Sequence, residues 1–199
     1  MEKLILNVDS KEQIINYRDE HRLTHYEPAI LDEILAATIA GDAALLNWFN
    51  KFGDCFRSII MNIYAYRKGL EFGFTEISFD QYGWFKRPEF LFQEELIFGN
   101  CAKYGEYSTL KIGKGITNVW TYALSYNFGT AGGGCGLSVY GKQFKSRENA
   151  VKIGIAELKN LMSEKLGHSD TSNYKQPIIQ GTLKSIAKYE IDSTQLTLF

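Results

Sequence analysis

The chain has 199 residues and 22.7 kDa, 45% of them hydrophobic and 23% charged, enough for one large or two small domains and too apolar for a disordered chain. A net charge of −1 and a pI near 6.3 exclude the overall basic excess that drives sequence-independent phosphate binding, leaving room only for a local basic face. The longest apolar runs, residues 36–40 and 58–61, fall far short of the ~20 residues of a membrane span, and polar residues interrupt any secretion signal in MEKLILNVDSKEQ, so a cytoplasmic protein without membrane contact is expected.

Residues 4–8 alternate loosely as a short strand. Ser10 with Gln13 then forms the pattern of a capping box for a helix to about His21. Pro28 suits the first turn of a second helix, with Ile30, Leu31, Ile34, Leu35, Thr38 and Ile39 at helical spacing and Gly41 as its end. Asp42 caps a third helix through Leu45, Leu46, Trp48 and Phe49 to Gly53. Asp54 starts a fourth, with Phe56, Ile59, Ile60, Ile63 and Tyr64 on one face and Gly69 at the stop. Residues 1–70 therefore read as a helical part.

Residues 71–86 place Phe72, Phe74, Ile77, Phe79, Tyr82, Trp84 and Phe85 among glycines and acids without a sustained period, as in a connection or an extra strand pair. A short helix from Pro88 is expected to carry Phe90, Leu91, Leu96, Ile97 and Cys101, after which the period switches to two. The expected strands cover 107–112, 119–128 and 135–144. In the middle one Trp120, Tyr122, Leu124, Tyr126 and Phe128 point one way, and Val119, Thr121, Ala123, Ser125 and Asn127 the other. Ser146 caps a long helix whose stripe Ala150, Val151, Gly154, Ile155, Leu158, Leu161, Met162 and Leu166 ends at Gly167. The predicted class is thus α+β: the helical part, an α-β-β-β-α unit over 87–167 with a three-stranded antiparallel sheet, and a polar tail over 168–199. That element order loosely resembles the double-stranded-RNA-binding domain, although fold order carries little functional weight.

Signatures of catalysis are missing from this pattern. Cys55, Cys101 and Cys135 are odd in number and widely spaced, as buried thiols rather than a zinc or redox pair. His21 and His25, four apart beside Asp19, Glu20 and Glu27, read as a solvated chain reversal, not a metal pair. Adjacent carboxylates such as Glu94 and Glu95, or Asp32 and Glu33, diverge on a helix, and no nucleophile motif is present. No catalytic residue, metal or cofactor is assigned, and an enzyme with an unsignalled site stands as a third reading.

Two surfaces remain. Lys142, Lys145, Arg147, Lys152 and Lys159 form the one local basic cluster, diluted by Glu148, Glu157 and Glu164; a solvated helix face is the plain reading and a nucleic-acid surface the functional one, with Lys142, Lys145 and Arg147 on phosphates. The glycine-rich stretch 129–136 reads as a flexible connection rather than a phosphate nest, and the aromatic stripe of the middle strand as core rather than a base-stacking platform.

The chain's last residues, Gln195, Leu196, Thr197, Leu198 and Phe199, carry two leucines and a phenylalanine after a polar run. A match to Q-L-x-L-F arises by chance at about one position in several tens of thousands; the plain alternative is a terminal β-strand. The pattern resembles the pentapeptide by which bacterial replication and repair proteins dock on the ring-shaped sliding clamp of the replicative DNA polymerase. The resemblance implies that Gln195 orients the peptide, Leu196 and Leu198 anchor it and Phe199 fills the deepest hollow, with affinity near the micromolar range of small interfaces. It further implies a non-enzymatic protein recruited to DNA, and the pairing of such a peptide with an otherwise motif-poor body fits an origin in a phage, plasmid or integrative element.

Overall fold

The computed structural model describes residues 4–196, the side chains of 194–196 excepted. The chain divides into two compact units, one running to Pro88 and one starting at Glu89. The class is α+β: helices fill the first unit, and the second holds a four-stranded antiparallel sheet with two helices.

In the first unit α1 (Lys11–Glu20), α2 (Glu27–Ala40), α3 (Ala43–Phe49) and α4 (Phe56–Leu70) follow the apolar stripes and stop signals of the sequence. Gly41 closes α2 in the left-handed region at φ 67°, and the Asp42 carboxylate accepts from the Leu45 amide to start α3. A 3-10 turn, Asn50–Phe52, follows. Two caps differ from expectation. Cys55, not Asp54, caps α4, its sulfur accepting from the Ser58 amide while the Ser58 hydroxyl accepts from the Cys55 amide. Ser10 makes no capping bond to α1; its hydroxyl instead accepts from the Asn7 amide. Residues 4–8 form no strand, because their partner is a side chain: Asn50 accepts from the Leu6 amide at 2.8 Å and donates to its carbonyl at 3.0 Å. The core gathers Leu6, Ile14, Leu31, Ile34, Leu46, Phe49, Phe52, Ile59, Ile60 and Ile63.

Residues 79–85 make a tight hairpin bridged from Phe79 to Phe85. The Asp80 carboxylate accepts from the Tyr82 and Trp84 amides, and Gly83 supplies the φ of 80° that the reversal needs. Buried Asn62 of α4 ties this hairpin down. Its amide donates to the Phe52 and Gly83 carbonyls at 2.6 and 2.9 Å, and its oxygen accepts from the Phe85 amide at 2.8 Å.

In the second unit β1 (Phe92–Gly99), β2 (Tyr107–Lys114), β3 (Trp120–Asn127) and β4 (Gly132–Gly134) lie in that order. The register pairs Leu96 with Leu110 and Leu110 with Leu124, so Phe92, Glu94, Leu96 and Phe98 share a face with Leu110, Ile112, Tyr122 and Leu124. Helices α5 (Arg147–Glu164) and α6 (Gln176–Leu196) cover that face. A Cβ on Gly154 would stand 2.5 Å from a Leu110 methyl, so glycine is what lets α5 settle against β2.

The interior of this unit corrects three expectations. First, the helix expected from Pro88 is the strand β1: Phe92, Leu96 and Phe98 alternate at period two, and pairing with β2 outweighs the helical spacing of Phe90 and Ile97. No helix precedes the strands, so the double-stranded-RNA-binding order is not formed. Second, residues 135–144 are no strand, and the sheet has four strands rather than three. After β4 the chain leaves the ladder, turns where the Gly141 amide donates to the Ser138 carbonyl, and rejoins β3 at Phe144 opposite Trp120. In doing so it covers the small-residue face of β3, with Gly141 against Thr121 and Leu137 beside Gly113. Third, the polar tail is structural. The Lys175 amide donates to the Phe128 carbonyl at 2.7 Å and the Ala131 amide to that of Asn173. Asp170, accepting from Ser172 and Asn173, is held down to about 2 by those hydrogen bonds. Helix α6 then buries Ile179 and Ile186 in the core.

Candidate functional site

Of the residues singled out by sequence, Arg147, Lys152 and Lys159 lie on α5, and Lys142 and Lys145 on the segment that leads into it. α6 is anchored by Ile179, Thr182 and Ile186, each fully buried, with Tyr189 packed edge-on to Phe98. The burial then ends: Ile191 is 59% exposed. The helical backbone continues through Gln195 and Leu196, whose side chains, together with Leu198 and Phe199, lie outside the described residues. Beside this end of α6 runs a groove of about 500 Å³, lined by Arg147, Glu148, Val151, Lys152 and Ile155 of α5 and by Tyr189, Glu190 and Ser193 of α6.

The basic cluster is matched by carboxylates from distant segments. Arg147, in the first turn of α5, makes a two-pronged pair with Glu94 of β1, both bonds 2.7 Å. Lys142 meets Glu157 at 3.1 Å, and Lys159 meets Glu190 at 2.8 Å. Lys145 and Lys152 are exposed and have no carboxylate partner among the described residues. Three of the five cations are thus neutralised locally. Such a face attracts phosphate less than the sequence count suggests, because a paired cation must give up its carboxylate to release counterions from nucleic acid.

Glu94 is a member of this site that sequence reasoning missed, as are Tyr189 and Glu190. Read on a helix, Glu94 diverged from Glu95; on β1 it points to the helix-covered face and meets the start of α5, 53 residues away. The signal available was its place at period two between Phe92 and Leu96.

Glu157 also receives the Tyr122 hydroxyl in a short hydrogen bond, which with Lys142 keeps its carboxyl below the usual range; burial and the same bond push Tyr122 up. A carboxyl lowered by folding adds stability above its ordinary range and loses it as pH falls through the lowered value. Glu157→Gln is therefore expected to melt slightly lower than the parent near neutral pH and to close that gap below the carboxylate range. A thermal melt at neutral and acidic pH reads the effect, a few degrees at most for so exposed a group. An unchanging gap would remove the linkage.

Outside this cluster, Cys101 and Cys135 are exposed and Cys55 half-buried, correcting the expectation of buried thiols. His21 stacks on Tyr17, and His25 packs edge-on to Tyr26. The described residues include no group of three metal-ligating side chains and no helix long and apolar enough to cross a membrane. Trp120, Tyr122 and Tyr126 pack on the core of the second unit, as expected for the stripe. Comparison with protein-family models, curated proteins and solved structures finds no match to the chain.

Proposed function

We propose that this protein docks on the sliding clamp of the bacterial replicative DNA polymerase through residues 195–199 and works as a non-enzymatic recruitment partner. The observation that carries the reading is the pentapeptide itself, an amide followed by apolar residues at the spacing of clamp-docking peptides. Support comes from the helix that leads to it: α6 is pinned through Ile186, and its exposure at Ile191 leaves the approach to the peptide unburied. Binding as an extended strand requires the turn at Gln195 and Leu196 to open. That gives up only the terminal amide hydrogen bonds of α6, at a helix end of the kind that frays.

Titration of a purified bacterial clamp with the whole chain should give micromolar binding. Leu198→Ala with Phe199→Ala should weaken it at least about a hundredfold, since each apolar side chain leaving water contributes roughly 1.5–3 kcal/mol. No binding, or binding indifferent to the double substitution, would overturn the proposal.

A further inference from the structure

The first unit holds a cavity of about 310 Å³ between the 3-10 turn, the start of α4 and the hairpin 79–85, lined in part by Lys51, Asp54, Phe79, Tyr82 and Trp84. Its volume sits at the small end of ligand pockets, about 300–1,000 Å³, and suits one planar ring system with a short appendage. Tyr82 is 77% exposed and Trp84 41%, and neither ring meets another ring among the described residues, although Phe79 and Phe85 of the same hairpin are packed against Phe52 and Tyr66. Two large aromatic rings left in water are an unusual use of a hairpin fixed so firmly from behind. Asn62 holds its backbone by two hydrogen bonds, at Gly83 and Phe85, and Asp80 by two, so the rings stand on a rigid mount and lose little freedom when something stacks on them.

The charges lining the cavity narrow the ligand. Lys51 and Asp54 are exposed, opposite in sign and three residues apart, yet neither forms an ion pair among the described residues. A neutral sugar gives a ring a face to stack on but has no use for the lysine; a simple cation has none for it either. A nucleotide satisfies all three features: the base stacks on the rings, its N–H edge donates to the carboxylate, and its phosphate meets the ammonium. Adjacent N–H donors suited to a carboxylate belong to guanine. We infer that this cavity binds a guanine nucleotide, with the base on Trp84 and Tyr82, Asp54 at its N–H edge and Lys51 at its phosphate. The inference is independent of the clamp reading, whose residues lie in the other unit.

The same chemistry is offered by a free nucleotide and by a nucleotide within a single strand, and two probes separate them. Calorimetric titration of the full chain with guanosine monophosphate, and with a short single-stranded oligonucleotide of alternating thymidine and guanosine, should give saturable binding to at least one. Saturation by the mononucleotide identifies a free nucleotide; saturation by the oligonucleotide alone identifies a single strand. Trp84→Ala should weaken the bound probe about tenfold or more, the scale of one lost base stack. Lys51→Ala, a surface change with no folding role, should also weaken it, and Asp54→Asn should reduce the preference for guanosine over uridine monophosphate. Failure of both probes to saturate up to millimolar concentration overturns the inference, as does binding that both Trp84→Ala and Lys51→Ala leave unchanged.

Discussion

Cutting the chain before Gln176 is expected to unfold the second unit. The residues lost include Ile179 and Ile186, both fully buried, and the half-buried Leu183 and Tyr189 that pack on the same core. Phe98 and Leu96 of β1 would then face water where α6 had been. Deleting one buried isoleucine down to alanine costs about 2–5 kcal/mol; losing two, with a leucine and a tyrosine, reaches the whole 5–15 kcal/mol by which domains of this size are stable. The Lys159 to Glu190 pair goes with them. Circular-dichroism melting of the truncated chain should show loss of the sheet's cooperative transition, with fast amide exchange across β1 and β2. Ile186→Ala is the milder form, expected to lower stability by about 2–4 kcal/mol without abolishing the transition. A truncated chain that still melts cooperatively with a protected sheet would make α6 an accessory. The practical consequence is that a test of the proposed docking peptide must change residues 195–199 and leave the rest of α6 in place.

Asn62→Ala should destabilise the first unit by about 2–4 kcal/mol and free the hairpin 79–85. Asn62 is 2% exposed, and its side chain replaces water for three backbone groups at once: the carbonyls of Phe52 and Gly83 and the amide of Phe85. Removing it leaves those groups without their partner, and each unsatisfied buried group costs about 1–3 kcal/mol. Water entering the space left by the amide offsets part of that sum. Urea unfolding followed by circular dichroism should give a lower midpoint for the first unit, and hydrogen exchange at Phe85 should speed up more than exchange at the middle of α4. Asn62→Asp separates hydrogen bonding from volume, because a carboxylate keeps the acceptor for Phe85 and loses both donors. Stability unchanged in both variants would show that the Asp80 turn and the packing of Phe79 and Phe85 hold the hairpin without Asn62.

Most of the first unit was legible before any coordinates. Gly41 and Asp42 mark a helix end and a helix start by local chemistry that needs no distant partner. The same holds for Ser146, whose hydroxyl accepts from the Asn149 amide, and for β3, whose strict alternation fixes which residues face the helices. The helix α6 was not settled by sequence: Ile179, Leu183 and Ile186 stand at helical spacing, a stripe obscured by the polar residues between them. Nor were other features. Phe92 to Phe98 fits either period, and the eight-residue register with β2 decides for the strand. Glu94 becomes a partner only when β1 is brought to the start of α5.

For the candidate sites the division is the same. The pentapeptide Gln195 to Phe199, proposed to dock, and the basic residues from Lys142 to Lys159 are properties of the sequence. Which of those cations are spent on carboxylates, and that Tyr82 and Trp84 come to border one cavity with Lys51, only tertiary structure decides. Caps and periodicities act over a few residues, where the chain's own geometry brings the groups together. Pairing a strand, covering a sheet face or closing a cavity depends on contacts between distant segments, whose closure entropy must be offset by the burial and hydrogen bonds they create together.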